Sequence, residues 1–92
     1  MREGYEERAH PAGMGGVQRH YFFLNGYGAS VVRTSFSYGG REGLWELAVL
    51  KGTEESSAIT YDTPITTDVI GWLSEVKVDN LLYEIEALEG VE

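Results

Sequence analysis

Ninety-two residues with no cysteine make one domain at most, without a disulfide framework or a thiolate metal site. Fifteen acidic residues against seven basic ones give a net charge of −8, which disfavours nucleic acid and anionic membranes and favours basic partners. No apolar run approaches the roughly 18 residues of a membrane span, and the first residues lack the apolar centre of a secretion signal. The expectation is a chain that works in the cytoplasm.

Residues 1–18 read as a flexible tail, and residues 19–92 as a single domain. Gly4, Gly13, Gly15, Gly16 and Pro11 punctuate the first stretch, and few apolar groups there could offset the entropy of ordering it. The domain opens with Arg19 to Leu24, then Asn25-Gly26, then Tyr27 to Phe36. Asn-Gly between runs of aromatic and β-branched residues predicts a hairpin with a two-residue turn. That turn pairs Leu24 with Tyr27, Phe22 with Ala29 and His20 with Val31 on one face, assigned to the core. Tyr21, Phe23, Val32 and Phe36 then share the other face with Gly28, where an aromatic ring covers bare backbone.

Ser37 to Gly43 is a glycine-rich connection. In Leu44 to Lys51 the residues Trp45, Leu47 and Val49 alternate with Leu44, Glu46, Ala48 and Leu50, so the first set points to the core. Ala58 to Tyr61 reads as a short edge strand ended by Pro64. Ile65 to Asp68 offers capping side chains before Val69–Leu73, read as a short helix or turn. Ser74 predicts the cap of a final helix running to about Leu88, with Gly90 beyond it. Val78, Leu81, Leu82, Ile85 and Leu88 form its apolar stripe. The fold class is therefore α+β: a three- or four-stranded antiparallel β-meander with one face covered by a C-terminal helical segment.

Charge is uneven along this plan. Residues 18–51 carry Arg19, Arg33, Arg41 and Lys51 against Glu42 and Glu46, whereas residues 52–92 carry only Lys77 against ten acids. On the helix side away from the stripe lie Val76, Asn80, Tyr83 and Ala87, rimmed by Asp79, Glu84 and Glu86. An apolar strip edged by carboxylates suits a basic protein partner.

Catalysis finds little support. A nucleophilic triad needs a nucleophile, a base and an orienting acid within hydrogen-bond reach; His10 falls in the tail, and His20 serves only if Ser30 or Asp62 converges on it, whereas the expected register points Ser30 to the other face. The acids scattered around the helix form no spaced metal-binding loop. Gly26-Tyr27-Gly28 leads into a strand rather than a helix, so it is no phosphate loop. No cofactor, metal or catalytic residue is assigned.

Two stretches, Asn25 to Val32 and Tyr61 to Leu73, together with the Leu44–Leu50 strand between them, resemble small uncharacterised accessory proteins of tailed bacteriophages and prophages. The resemblance covers residues 20–88 and implies work in a bacterial host cytoplasm. It brings no activity or site residues. The resulting expectation is a non-enzymatic accessory protein that binds a host or defence factor through Val76, Asp79, Asn80, Tyr83, Glu86 and Ala87. The alternatives are a homodimer joined through Tyr21, Phe23, Val32 and Phe36, and a small enzyme using His20 and Asp62.

Overall fold

The computed structural model describes residues 1–9, 16–66 and 68–90. Among these residues, six strands, β1 (Tyr5–Ala9), β2 (Val17–Phe22), β3 (Tyr27–Arg33), β4 (Trp45–Gly52), β5 (Ser57–Ile59) and β6 (Ile70–Leu73), precede one α-helix, α1 (Glu75–Glu86), and a single 3₁₀ turn, Gly40–Glu42, lies between β3 and β4. The strands form one antiparallel sheet in the order β1-β2-β3-β4-β5, with β6 also on β4. The lane beyond β4 is shared: β5 pairs with Leu50–Gly52, and β6 pairs with Trp45 and Leu47. The α+β class holds, and the sheet is larger than the expected meander.

The first extra strand comes from the segment expected to be a flexible tail. Tyr5 lies opposite Tyr21 and Glu7 opposite Arg19, so the edge is held by a ring contact and a 2.8 Å ion pair from Arg19 Nε to Glu7 Oε1. Cross-strand pairs of this kind order a strand whose own composition is too polar to predict one. His10, together with residues 11–15, lies outside the described residues. The second extra strand is β6, expected as a helix or turn. The polar segment ahead of it turns on itself, with Thr66 Oγ1 accepting the Asp68 N–H at 3.0 Å and Asp68 Oδ1 accepting the Val69 N–H at 2.7 Å. It leads into backbone that bonds to β4 instead of closing a helical turn.

The hairpin turns with one residue more than expected. Phe23 N–H donates to Tyr27 O at 2.8 Å and Gly26 N–H to Phe23 O at 3.2 Å, leaving Leu24, Asn25 and Gly26 in the loop. Gly26 has φ 86°, the left-handed residue that closes a three-residue loop of this kind. Asn-Gly therefore marks the hairpin, but Tyr21 rather than Phe22 faces Ala29. A slip of one residue exchanges the faces of β2 completely. Tyr21 is 1% exposed and belongs to the core, Phe23 packs against it, and His20 and Phe22 move to the outer face. Phe22 also supplies the ring over Gly28: its Cδ1 lies 3.3 Å from where a Cβ would stand, and the Tyr21 carbonyl lies closer still.

β3 and β4 follow their alternation. Ala29, Val31, Trp45, Leu47 and Val49 are buried together with Tyr21, Leu73 and the helix residues Val78, Leu82 and Ile85. The helix packs over β3, β4 and β6. Toward β2 the roof is cationic: the Arg19 and Arg33 guanidinium groups stand 5.0 and 4.4 Å from the Trp45 ring centroid. No helix among the described residues is long and apolar enough to cross a membrane.

Burial pushes the Tyr21 phenol up to about 12, against the opposing pull of Arg19. Its ordinary value is about 10, so the fold favours the protonated form. The stabilisation is complete below pH 10 and is lost as pH rises toward 12. Urea midpoints measured at pH 8 and pH 11 are expected to fall more for the wild type than for Tyr21→Phe. Parallel falls would refute this account.

Candidate functional site

The helix that bears the candidate surface is set by local chemistry. Ser74 has extended backbone, and its hydroxyl accepts the Lys77 N–H at 3.3 Å, filling one of the free donors of the first turn. Glu75 follows in that turn, where a carboxylate meets the positive end of the helix dipole. Val78, Leu82 and Ile85 are buried, and Leu81 and Leu88 pack partly against the core, so the apolar stripe lies where its spacing puts it.

The opposite side presents Val76, 69% exposed, and Tyr83, 59% exposed, with Asn80 and Ala87 also exposed. Asp79 and Glu86 line one border of this strip, and both are engaged by the chain itself. Arg2, just before β1, donates its backbone N–H to Asp79 Oδ1, and its Nη2 reaches Glu86 Oε1 at 2.7 Å. Its guanidinium lies 4.6 Å from the Tyr83 ring centroid and 5.1 Å from that of Phe23. The Tyr21 hydroxyl donates to the Arg2 carbonyl at 2.6 Å. Helical spacing brings Asp79, Tyr83 and Glu86 onto one line; the slipped hairpin register brings Phe23 up to meet them.

At the other end of α1, Asn25 clasps the helix terminus. Its Nδ2 donates toward the carbonyls of Ile85 (2.9 Å), Glu86 (3.1 Å) and Leu88 (3.1 Å), while its Oδ1 accepts the Tyr27 N–H at 3.0 Å. Ile85 and Glu86 belong to the last turn of α1, where carbonyls outnumber intrahelical donors; Leu88 N–H already returns to Ile85 O at 3.1 Å, and the hairpin tip adds a second clasp from far away in sequence. On the remaining border of α1, Ile70, Leu73, Lys77, Asn80, Leu81 and Glu84 line an open apolar groove of about 300 Å³.

The proposed self-association set does not form one surface. Tyr21 is in the core, Phe23 is beneath Arg2, Val32 lies on the outer face of the sheet, and Phe36 stands 72% exposed in the loop after β3. The outer face carries instead a hollow of about 280 Å³ bordered by Gln18, Ser30, Val32, Glu46, Ala48, Ile59 and Val69. His20 and Asp62 also stay apart. His20 is on β2 and packs edge-on to Phe22, while Asp62 follows β5, three lanes away in sheet order, or about 14 Å at the usual strand spacing. Among the described residues, no three His, Cys, Asp or Glu side chains gather where they could hold a metal ion.

Sequence reasoning found Asp79, Tyr83 and Glu86 but missed their occupant, Arg2, and its second ring, Phe23. The contacts from Arg2 to the helix bridge 77 and 84 residues of chain, a separation over which no periodicity speaks. No family model, curated protein or solved structure matches the chain.

Proposed function

We propose that this chain is a non-enzymatic binding protein whose working surface is the outer side of α1, and that its partner is a protein with a basic surface. The supporting observation is the exposed Val76–Tyr83 strip edged by Asp79 and Glu86, on a chain of net charge −8. Exposed aromatic and aliphatic groups supply contact area, and the carboxylate rim supplies steering and choice of partner. The resemblance of Asn25–Val32 and Tyr61–Leu73 to phage accessory proteins supports a partner in a bacterial cytoplasm, a host or defence factor.

The test is capture from bacterial lysate on immobilised wild-type protein beside the Tyr83→Ala/Glu86→Lys double variant. The expected result is a discrete captured protein that the double variant loses. Its release should grow as salt is raised through about 0.15 M, where screening shortens the reach of exposed charges to about 8 Å. An identical catch on both proteins would overturn the reading.

A further inference from the structure

The seat around Arg2 has the form of a recognition site rather than of an incidental surface contact. Two rings, Phe23 and Tyr83, stand 5.1 and 4.6 Å from one guanidinium, and a carboxylate, Glu86, meets its Nη2 at 2.7 Å. Two further groups read the backbone of the same residue: Asp79 accepts its N–H and the Tyr21 hydroxyl donates to its carbonyl. A planar, delocalised cation that lies against two rings while one of its nitrogens meets a carboxylate fits such a seat better than the compact, strongly hydrated ammonium of lysine. The fit to Arg2 is also incomplete, because its Nη1 is buried with no hydrogen-bond partner among the described residues.

We propose that this seat is an arginine-recognition slot for a basic protein segment, and that Arg2 fills it in cis as a built-in competitor. The inference rests on the reading of α1 as the working surface and adds to it the side chain recognised and the device that limits access. A tethered occupant acts at an effective concentration on the order of millimolar, so weakly binding arginines are kept out. A partner that also covers Val76 and the rest of Tyr83 gains contacts that Arg2 does not make, and it displaces Arg2. The slot then admits extended basic surfaces and rejects isolated side chains.

The test titrates the 92-residue chain with N-acetyl-argininamide, following the Phe23 and Tyr83 ring signals by NMR. Arg2→Ala is expected to show saturable ring shifts with a Kd at least about tenfold lower than the wild type. N-acetyl-lysinamide should bind it at least about fivefold more weakly, and Arg2→Ala/Tyr83→Ala should show no saturation. Arg2→Met, which keeps the apolar stem, repeats the measurement should Arg2→Ala loosen β1. Equal binding to wild type and to both Arg2 variants, no saturation in either variant, or equal response to the lysine probe would overturn the proposal. The two readings fail separately. Loss of the titration with the lysate capture still dependent on Tyr83 and Glu86 removes the slot and keeps the surface; the converse keeps the slot and removes the partner.

Discussion

Trp45→Ala is expected to destabilise the protein by about 3–5 kcal/mol, the range for emptying a large aromatic from a core. The indole is 1% exposed and is the largest of the fully buried side chains. It sits where β4, β6 and the cationic roof meet, opposite Leu73 and beneath Arg19 and Arg33. Removing it opens a cavity and also takes the ring from under two guanidinium groups, which are then left over apolar space. A domain of this size has about 5–14 kcal/mol of stability in all, so Tm should fall by on the order of 20 °C. Trp45→Phe provides the contrast. The indole Nε1 is buried without a hydrogen-bond partner among the described residues, so losing it sacrifices no bond, and this variant should lose less than half as much. Thermal or urea unfolding followed by circular dichroism reads both. An alanine variant within about 1 kcal/mol of wild type would mean that this corner is not the centre of the core.

The second large effect is expected at a residue whose turn role conceals another. Asn25→Ala removes the donor that serves the carbonyls of Ile85, Glu86 and Leu88, at a cost of about 1–2 kcal/mol, because water can reach part of that site. Asn25→Asp should cost more, on the order of 3 kcal/mol. It turns the donor into an anion facing carbonyl oxygens at the negative end of the helix dipole. The order Asp worse than Ala is the reverse of what turn propensity gives, since aspartate suits a hairpin loop well. Acid supplies a second check. Below about pH 4 the introduced carboxyl takes up a proton, regains a donor, and the gap between the two variants should narrow in urea titrations. If Asp proves milder than Ala at pH 7, Asn25 is only a turn residue.

The same pair of residues shows where sequence reading succeeds and where it stops. β3 and β4 alternate cleanly, so Ala29, Val31, Trp45, Leu47 and Val49 could be assigned to the core from spacing alone, and α1 announced itself through Ser74 and its apolar stripe. β2 could not be placed. His20-Tyr21-Phe22-Phe23-Leu24 is apolar or aromatic at nearly every position, so its face depends on loop length, and Asn-Gly fits two loop lengths. β1 is charged and flanked by glycine; its order comes from Tyr21 and Arg19 across the ladder, contacts that spacing within the strand cannot reveal. β6 is preceded by side chains of capping type, Thr66 and Asp68, but they bond within a local turn and the open edge of β4 takes the strand. The helix side of the candidate slot was legible for the same reason as the helix. Its other half, Arg2 and Phe23, depended on the hairpin register and on pairing across nearly the whole chain.

The grip of Asn25 also bears on how the molecule ages. An asparagine followed by glycine is open to deamidation, because the unhindered Gly26 nitrogen can close on the side-chain amide carbon and expel ammonia. Here that amide is held on both sides, its Nδ2 by the helix carbonyls and its Oδ1 by the Tyr27 N–H, which restricts its rotation. Deamidation is thereby tied to opening of the hairpin tip. Once it occurs, the acidic product loses the clasp that had protected it, so damage at this single position favours further unfolding.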